Sequence, residues 1–368
     1  MTCPGPLVSV NEAEGLAAAA LPRDIWDFVS GGSGEELTQQ ANRAALDGVY
    51  LVPRVLSAVA GCAVATSLVG CGAAMPVAVA PMAYQRLVHP DGEVGLARAC
   101  AGAGIPYTAA MLSSTGIEQI AGAGGCIWLQ LYWLRDRGLV TDLIRRAEAA
   151  GCRALVLTVD VPRLGRRLRD LRNGFALPDG VFPANLLGQG GAGDGGPPVP
   201  GPSAAGSSAV ASHTAAVFDP TLSWSDVAWL RDQTSLPLVL KGILHADDAS
   251  RAAEAGAAAI VVSNHGGRQL DGAVPSVTAL GWVIEAVAGR CQVLLDSGVR
   301  GGTDVLRAIA LGADGVLLGR PALWALAAGG TAGAARLLEL LGEELEHAMA
   351  LAGCADLAAC RSLRTVIR

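Results

Sequence analysis

Short apolar runs alternate along the chain with Ala-rich stretches of helical period, and each run ends in glycine, proline or polar residues. Eight runs read as strands: Pro76–Ala80, Ile105–Ala110, Ile127–Tyr132, Ala154–Asp160, Pro237–Gly242, Ala259–Asn264, Gln292–Gly298 and Gly315–Arg320. Between them helices are expected over Gly92–Ala103, Val140–Gly151, Asp247–Gly256, Ser276–Ala288 and Thr303–Gly312, with a last one over Gly333–Ala352. This alternation calls for parallel strands joined by right-handed crossovers, and eight such units close into a (β/α)8 TIM barrel. Residues 1–75 form an N-terminal extension, with a helix expected over Pro22–Ser30 ahead of Gly31-Gly32.

The strand starts lie 22 to 33 residues apart except for the fourth interval of 83 residues, so a long insertion separates Asp160 from Pro237. Its Gly-, Pro- and Ser-rich part, 188–212, carries too little apolar surface to offset its chain entropy. A flexible loop after strand four is therefore expected within 180–215, over the barrel mouth. A linker between two domains is the rival, but the barrel needs strands on both sides of it, so 1–368 is read as one domain.

Composition narrows the function. With 27 basic and 33 acidic residues the net charge is −6, and charged residues are only 16% of the chain, so no basic surface for nucleic acid is expected. Hydrophobic residues reach 51%, but the runs are broken by Asp, Arg, Pro and Gly. The stretch 99–118, with Gly102, Gly104, Pro106, Ser113 and Ser114, reads as helix end, turn and strand rather than a membrane span. Met1-Thr2-Cys3-Pro4-Gly5-Pro6 lacks the basic start and apolar core of a secretory signal. A cytoplasmic protein without membrane or nucleic-acid partners is expected. The nine cysteines include no Cys-x-x-Cys pair and are read as small core residues rather than metal ligands or disulfides, so no metal is expected.

In a parallel barrel the reactive residues sit where the strands end. Those ends are polar here: Gln130-Leu131-Tyr132, Thr158-Val159-Asp160, Lys241-Gly242, Ser263-Asn264-His265, Asp296-Ser297-Gly298 and Gly319-Arg320. The last two ends, with Val299, Arg300, Gly301 and Gly302, offer backbone amides and two guanidinium groups, which suits a phosphate. His265 can take a proton near neutral pH, and Arg268 offers a fork matching a carboxylate. Asp160 is placed to pair with that imidazole. Lys241 ends an apolar strand, where it serves either as a Schiff-base nucleophile or as a fixed cation facing a group that becomes negative.

The segments SNHGGRQLDG, WLQLY, LTVDVPRLGRRLRDLRNGF, LKGIL, DSGVRGGTDVLRAIALGA and LLGRPALWALA together resemble the FMN-dependent 2-hydroxy-acid oxidases and dehydrogenases. Several motifs of this length occurring in the family's order, within a resemblance from about Pro22 to Gly353, are highly specific. The resemblance fails only in the Gly-rich insertion. It implies that His265, paired to Asp160, acts as base, that Arg167 and Arg268 clamp the substrate carboxylate, and that Tyr132 hydrogen-bonds the substrate oxygen. Pro81, Met82, Ala83, Gln130, Thr158, Lys241 and Ser263 would line the flavin ring of FMN. Asp296 would hold the ribityl chain, and Ser297, Gly298, Val299, Arg300, Gly319 and Arg320 the phosphate. Lys241 is then the fixed cation, which removes the Schiff-base option.

AYQRLVHPDGE, LQLYWLRD and RRLRDLRNGFALP are most similar to members that act on 4-hydroxymandelate in bacterial peptide-antibiotic pathways. Phe28 stands where glycolate oxidase-like members have a substrate-contacting Tyr, Leu112 where they have Trp, Ala110 where many have Ser, and Ser297 where the first of two glycines is usual. These changes suit an aromatic tail, so the resemblance implies an (S)-2-hydroxy-acid oxidase acting on mandelate or 4-hydroxymandelate. The 2-oxo acid forms and O2 is reduced to hydrogen peroxide. Departure of the α-hydrogen as hydride and a carbanion-first route both suit this set of residues. The alternatives are a dehydrogenase passing electrons to a quinone or protein, an oxidase of aliphatic 2-hydroxy acids, and, in a different class, a phosphate-binding barrel isomerase. Family members often assemble as tetramers, so a homo-oligomer is expected.

Overall fold

The computed structural model describes residues 7–186 and 208–368. Eight parallel strands close into a barrel: Val77–Val79, Tyr107–Ala110, Ile127–Leu131, Ala154–Thr158, Leu238–Ile243, Ala259–Val262, Gln292–Leu295 and Gly315–Leu318. The last pairs with the first, Val316 beside Val77 and Leu318 beside Val79, so the sheet has no open edge. Seven of the eight expected runs contain one of these strands whole, and the fifth strand, Leu238–Ile243, runs one residue past the expected end at Gly242. Most are shorter than expected because their last residues leave the ladder to build the mouth.

Successive strand residues point to opposite faces. Val77, Val79, Leu155 and Leu157 pack outward among the helices, whereas Ala78, Trp128, Val156, Val239, Val261, Leu294 and Leu317 form the separate interior cluster. Continuing this inward parity by two residues reaches Ala80, Gln130, Thr158, Lys241, Ser263, Asp296 and Gly319. The polar strand ends are thus the top layer of the barrel interior, resting on an apolar plug.

A hairpin of Thr66–Leu68 and Cys71–Ala73 closes the opposite end, with Leu68, Val69, Cys71 and Ala73 joining the interior cluster. Cys71 is disulfide-bonded to Cys126, with Cα atoms 6.6 Å apart, which corrects the expectation of unpaired core cysteines. The two lie 55 residues apart in sequence, and only barrel closure brings the hairpin under the third strand.

The outer helices include Gly92–Gly102, Arg137–Ala149, Ala246–Glu254, Ser276–Val287 and Gly302–Ala310, close to the expected spans. The long helix Arg320–Ala352 begins at the end of the eighth strand, is broken at Gly329-Gly330, and is followed by a short helix, Leu357–Arg361. Gly330 has φ 58°, and a Cβ there would stand 2.6 Å from the His89 ring. Among the described residues no helix is long and apolar enough to cross a membrane.

The extension carries three helices, Val10–Ala20, Arg23–Ser30 and Leu37–Asp47, and a strand Val49–Leu51 that pairs with Thr365–Ile367 near the end of the chain. Only the second of these was expected. Most of the expected flexible loop, 187–207, lies outside the described residues. Its two ends are folded, against expectation. Ala184–Leu186 is a 3-10 turn whose buried Asn185 accepts from Ile117 N. Ala209–Val217 is a helix capped by the Ser208 hydroxyl, and its Val210 and Thr214 are buried against the mouth.

Candidate active site

One cavity at the C-terminal mouth is lined by Pro81, Met82, Ala83, Tyr132, Lys241 and His265, and extends past Asp296, Ser297, Gly298 and Val299 to Arg300, Gly319 and Arg320. His265 Nδ1 lies 3.0 and 3.2 Å from the two Asp160 oxygens, so the proton sits on Nδ1 and Nε2 keeps a free lone pair. Burial pushes the His265 pKa down, assisted by Lys241 and Arg167, and outweighs the opposing pull of Asp160. Burial alone would raise the Asp160 carboxyl, but His265 and Lys241 bring it below the usual carboxylate range. The pair at rest is a neutral imidazole on an ionised carboxylate. Gly242, φ 113°, makes room for it, since a Cβ there would stand 2.6 Å from Asp160 Cβ.

Two guanidinium groups face the same space. Arg268 Nη1 donates to the carbonyls of Phe28 and Gly31, both at 2.8 Å. Arg167 is buried, its Nε has no partner, and Nη1 stands 3.9 Å from Asp170 Oδ2. Burial, Arg167 and Arg320 together drive the Arg268 pKa well down. Both cations lie near the Phe28 ring, with guanidinium carbons 5.8 Å (Arg167) and 5.5 Å (Arg268) from its centre, and Phe28 stacks on Phe175 at 4.4 Å. Tyr132 stacks on Phe218 at 4.7 Å, and burial together with Asp160 pushes its hydroxyl pKa up. Among the described residues neither Arg167 nor Arg268 has a carboxylate within hydrogen-bond distance, so the pair suits a small anion.

Lys241 Nζ sits 2.7 Å from Asp296 Oδ2 and 2.8 Å from Ser263 Oγ, which explains how a lysine is tolerated at 4% exposure. Asp296 Oδ1 accepts from the Ser297 hydroxyl at 2.7 Å. Asp296, expected to hold the ribityl chain, thus has one contact on each oxygen, and each oxygen keeps a further lone pair that could accept from a hydroxyl. Gln130 Oε1 accepts from Met111 N, but Gln130 Nε2 and Thr158 Oγ1 are buried without a partner among the described residues. Unpaired buried polar atoms are rare in folded proteins. Here they lie at the top of the barrel interior beside Lys241, and they fit the polar edge of a flavin ring.

At the far end of the cavity Arg320 donates to the carbonyls of Gly266 and Gly31 at 2.9 Å, while its Nε has no partner. Burial, Arg300 and Arg167 lower its pKa to about 10. Arg300 lies over the Trp324 ring at 4.3 Å and pairs with Glu14 at 2.7 Å. Ser297 (φ 74°) and Gly298 (φ 102°) turn the loop between them, and the Ser297 hydroxyl accepts from Gly266 N. Two buried or half-buried guanidinium groups beside Gly319 and the helix it caps suit a phosphate.

The structure thus brings every expected site residue to one mouth. Sequence reasoning missed several supports. Asn42 and Asn264 exchange reciprocal side-chain hydrogen bonds of 2.8 and 2.6 Å. Arg43 donates to the Gly298 carbonyl and pairs with Asp304, which also accepts from Arg300 N. Gln269 Nε2 holds the carbonyls of Asp160 and Arg163 at 2.8 Å. Asn42 and Arg43 come from the extension, more than 200 residues before the loops they hold. No local signal marks them.

Residues 17–366 match the family described as FMN-dependent dehydrogenase. A 4-hydroxymandelate oxidase of Amycolatopsis orientalis is 54% identical over 358 residues, covering 97% of this chain and 98% of that protein. An L-lactate oxidase of Nostoc sp. is 46% identical, covering 97% of each chain. Among solved structures, a mandelate oxidase with (S)-4-hydroxymandelic acid is similar at 53% identity and a TM-score of 0.92, covering 98% of this chain and 99% of the other.

Proposed function

The chain belongs to the FMN-dependent dehydrogenase family, and from that premise we propose that it is an oxidase of an aromatic (S)-2-hydroxy acid, mandelate or 4-hydroxymandelate. The product is the 2-oxo acid, and the electrons pass to O2 to give hydrogen peroxide. Family membership sets aside the barrel isomerase. The reading rests above all on one observation: a buried neutral imidazole backed by an ionised carboxylate shares a cavity with two buried guanidinium groups that have no bonded carboxylate.

FMN, when bound, supplies the two-electron acceptor. Gln130, Thr158, Lys241 and Ser263 would hold its ring, with Pro81, Met82 and Ala83 against one face. Lys241, fixed by Asp296, supplies a positive charge that does not have to reorganise. Ser297, Gly298, Val299, Arg300, Gly319 and Arg320 would take the phosphate. Asp296, which also fixes Lys241 and Ser297, would accept from the ribityl hydroxyls with its remaining lone pairs.

Arg167 and Arg268 bind the substrate carboxylate from two sides and fix the α-carbon, which removes much of the orientational entropy from the barrier. His265 Nε2 then accepts the proton of the 2-hydroxyl group as the α-C–H bond breaks, and the hydrogen and electron pair of that bond are what FMN would take up. Asp160 keeps the imidazole in the competent tautomer and stabilises the imidazolium that forms. The Tyr132 hydroxyl donates to the substrate oxygen. Phe28, Leu112, Val161 and Phe218 line the rest of the cavity, an apolar wall suited to an aryl ring. The resemblance to proteins described as 4-hydroxymandelate oxidase and mandelate oxidase agrees with that wall.

The test is an anaerobic screen of the yellow enzyme against glycolate, lactate, mandelate and 4-hydroxymandelate, followed by oxygen uptake and peroxide measurement. Fast bleaching by the two aromatic acids with one peroxide per oxygen is expected. Bleaching by lactate alone would make it an aliphatic oxidase, and turnover with a dye but without oxygen use would make it a dehydrogenase.

A further inference from the structure

Asp170 is a buried carboxylate that the chemistry above leaves unused. It lies in the short helix Leu168–Asn173, one turn beyond Arg167, and is 3% exposed. Its Oδ2 stands 3.9 Å from Arg167 Nη1, outside hydrogen-bond reach, and its Oδ1 has no hydrogen-bond partner in the described structure. Arg167 lines the cavity, whereas Asp170 sits behind it. Four influences meet at this carboxylate. Burial, the largest, pushes its pKa up; Arg167 and Arg268 pull it down; Asp27, on the helix Arg23–Ser30, opposes them.

Two guanidinium groups facing one cavity repel each other, and burial has cost each of them hydration. A carboxylate at 3.9 Å offsets part of that cost. A bidentate pair at normal distance would take two of the five N–H donors of Arg167 and with them one face of its fork, and the gap avoids this: among the described residues Arg167 Nε has no partner. We propose that Asp170 is the standing counter-charge of the two-arginine clamp, steadying Arg167 while the clamp is empty and opposing the carboxylate that enters it. Asp170 is a positioning residue acting through Arg167, and the inference rests on the reading of Arg167 and Arg268 as that clamp. The native site thus trades anion affinity for stability of the empty state.

The experiment uses the FMN-loaded enzyme with phenylacetate as the anionic probe and phenylacetamide as its neutral counterpart. Binding is read from the flavin absorbance and stability from the melting temperature. Asp170→Asn is expected to lower the melting temperature of the free enzyme, yet bind phenylacetate about tenfold more tightly, the equivalent of one pKa unit of interaction. Phenylacetamide affinity should stay unchanged. A merely structural carboxylate would weaken both ligands, so unchanged or weaker phenylacetate binding overturns the proposal.

The double variant provides a second test should Asp170→Asn alone not fold. Arg167→Met strands a buried carboxylate, so adding Asp170→Asn should raise the melting temperature of Arg167→Met; an equal or lower value overturns the proposal. The clamp reading fails separately, if wild-type enzyme does not bind phenylacetate or if Arg167→Met leaves that binding intact.

Discussion

His265 shows how residue-scale forces set the chemistry. An imidazole acts as base only while neutral, and burial favours that form more than Asp160 opposes it. Its folded pKa lies below the ordinary imidazole value of about 6.5, so the competent form persists from neutral pH down past that point and is lost as pH falls through the lowered value. The pH profile of kcat/KM for a 2-hydroxy acid should therefore be flat around pH 6.5 and decline only at more acid pH. An acid limb centred above 6.5 would mean that Asp160 dominates and that the resting imidazole is charged. Phe28 belongs to the same scale: as phenylalanine it offers no hydroxyl to the substrate, but its ring centre lies within about 6 Å of both guanidinium carbons.

At the scale of elements, the barrel strands were legible because a parallel strand buried on both faces reads as a short apolar run, and eight of them count out the fold. The mouth was legible for a related reason: inward parity carries polar residues such as Gln130 and Lys241 to the strand ends, where a packed core has no need of them. The extension was not. The helix Leu37–Asp47 has its meaning only in tertiary contacts, through Asn42 on Asn264 and Arg43 on Gly298 and Asp304. Asp304, in turn, holds Arg300 N at 2.9 Å, so one guanidinium fixes both sides of the loop assigned to the phosphate. Arg43→Met is expected to weaken FMN binding roughly tenfold, the loss of a charged hydrogen bond, while riboflavin, which lacks the phosphate, binds much as before. Equal weakening of both flavins in fluorescence titrations would show that Arg43 supports the barrel generally.

For the whole molecule, closure creates neighbours that spacing along the chain conceals. The disulfide between Cys71 and Cys126 joins the bottom hairpin to the third strand across 55 residues, and a bond closing a loop of that length contributes roughly 4 kcal/mol in the chain-entropy account. Denatured enzyme should show two fewer titratable thiols before reduction than after it, and Cys71→Ser should melt at a lower temperature; equal thiol counts would remove the staple. Closure also unites the two ends of the mouth, since Gly31 of the extension accepts from both Arg268 and Arg320. The proposed substrate clamp and the proposed phosphate grip thus share one backbone carbonyl.

The most direct measurement is rapid anaerobic mixing of wild-type and His265→Ala enzyme with 4-hydroxymandelate. Wild type should bleach quickly. The variant should remain yellow, still show the absorbance shift of ligand binding, and bleach ~10²–10⁴ times more slowly, the range typical of a lost general base. Bleaching of the variant at the wild-type rate would contradict the role given to the imidazole, and a wild-type flavin untouched by this acid would contradict the aromatic substrate.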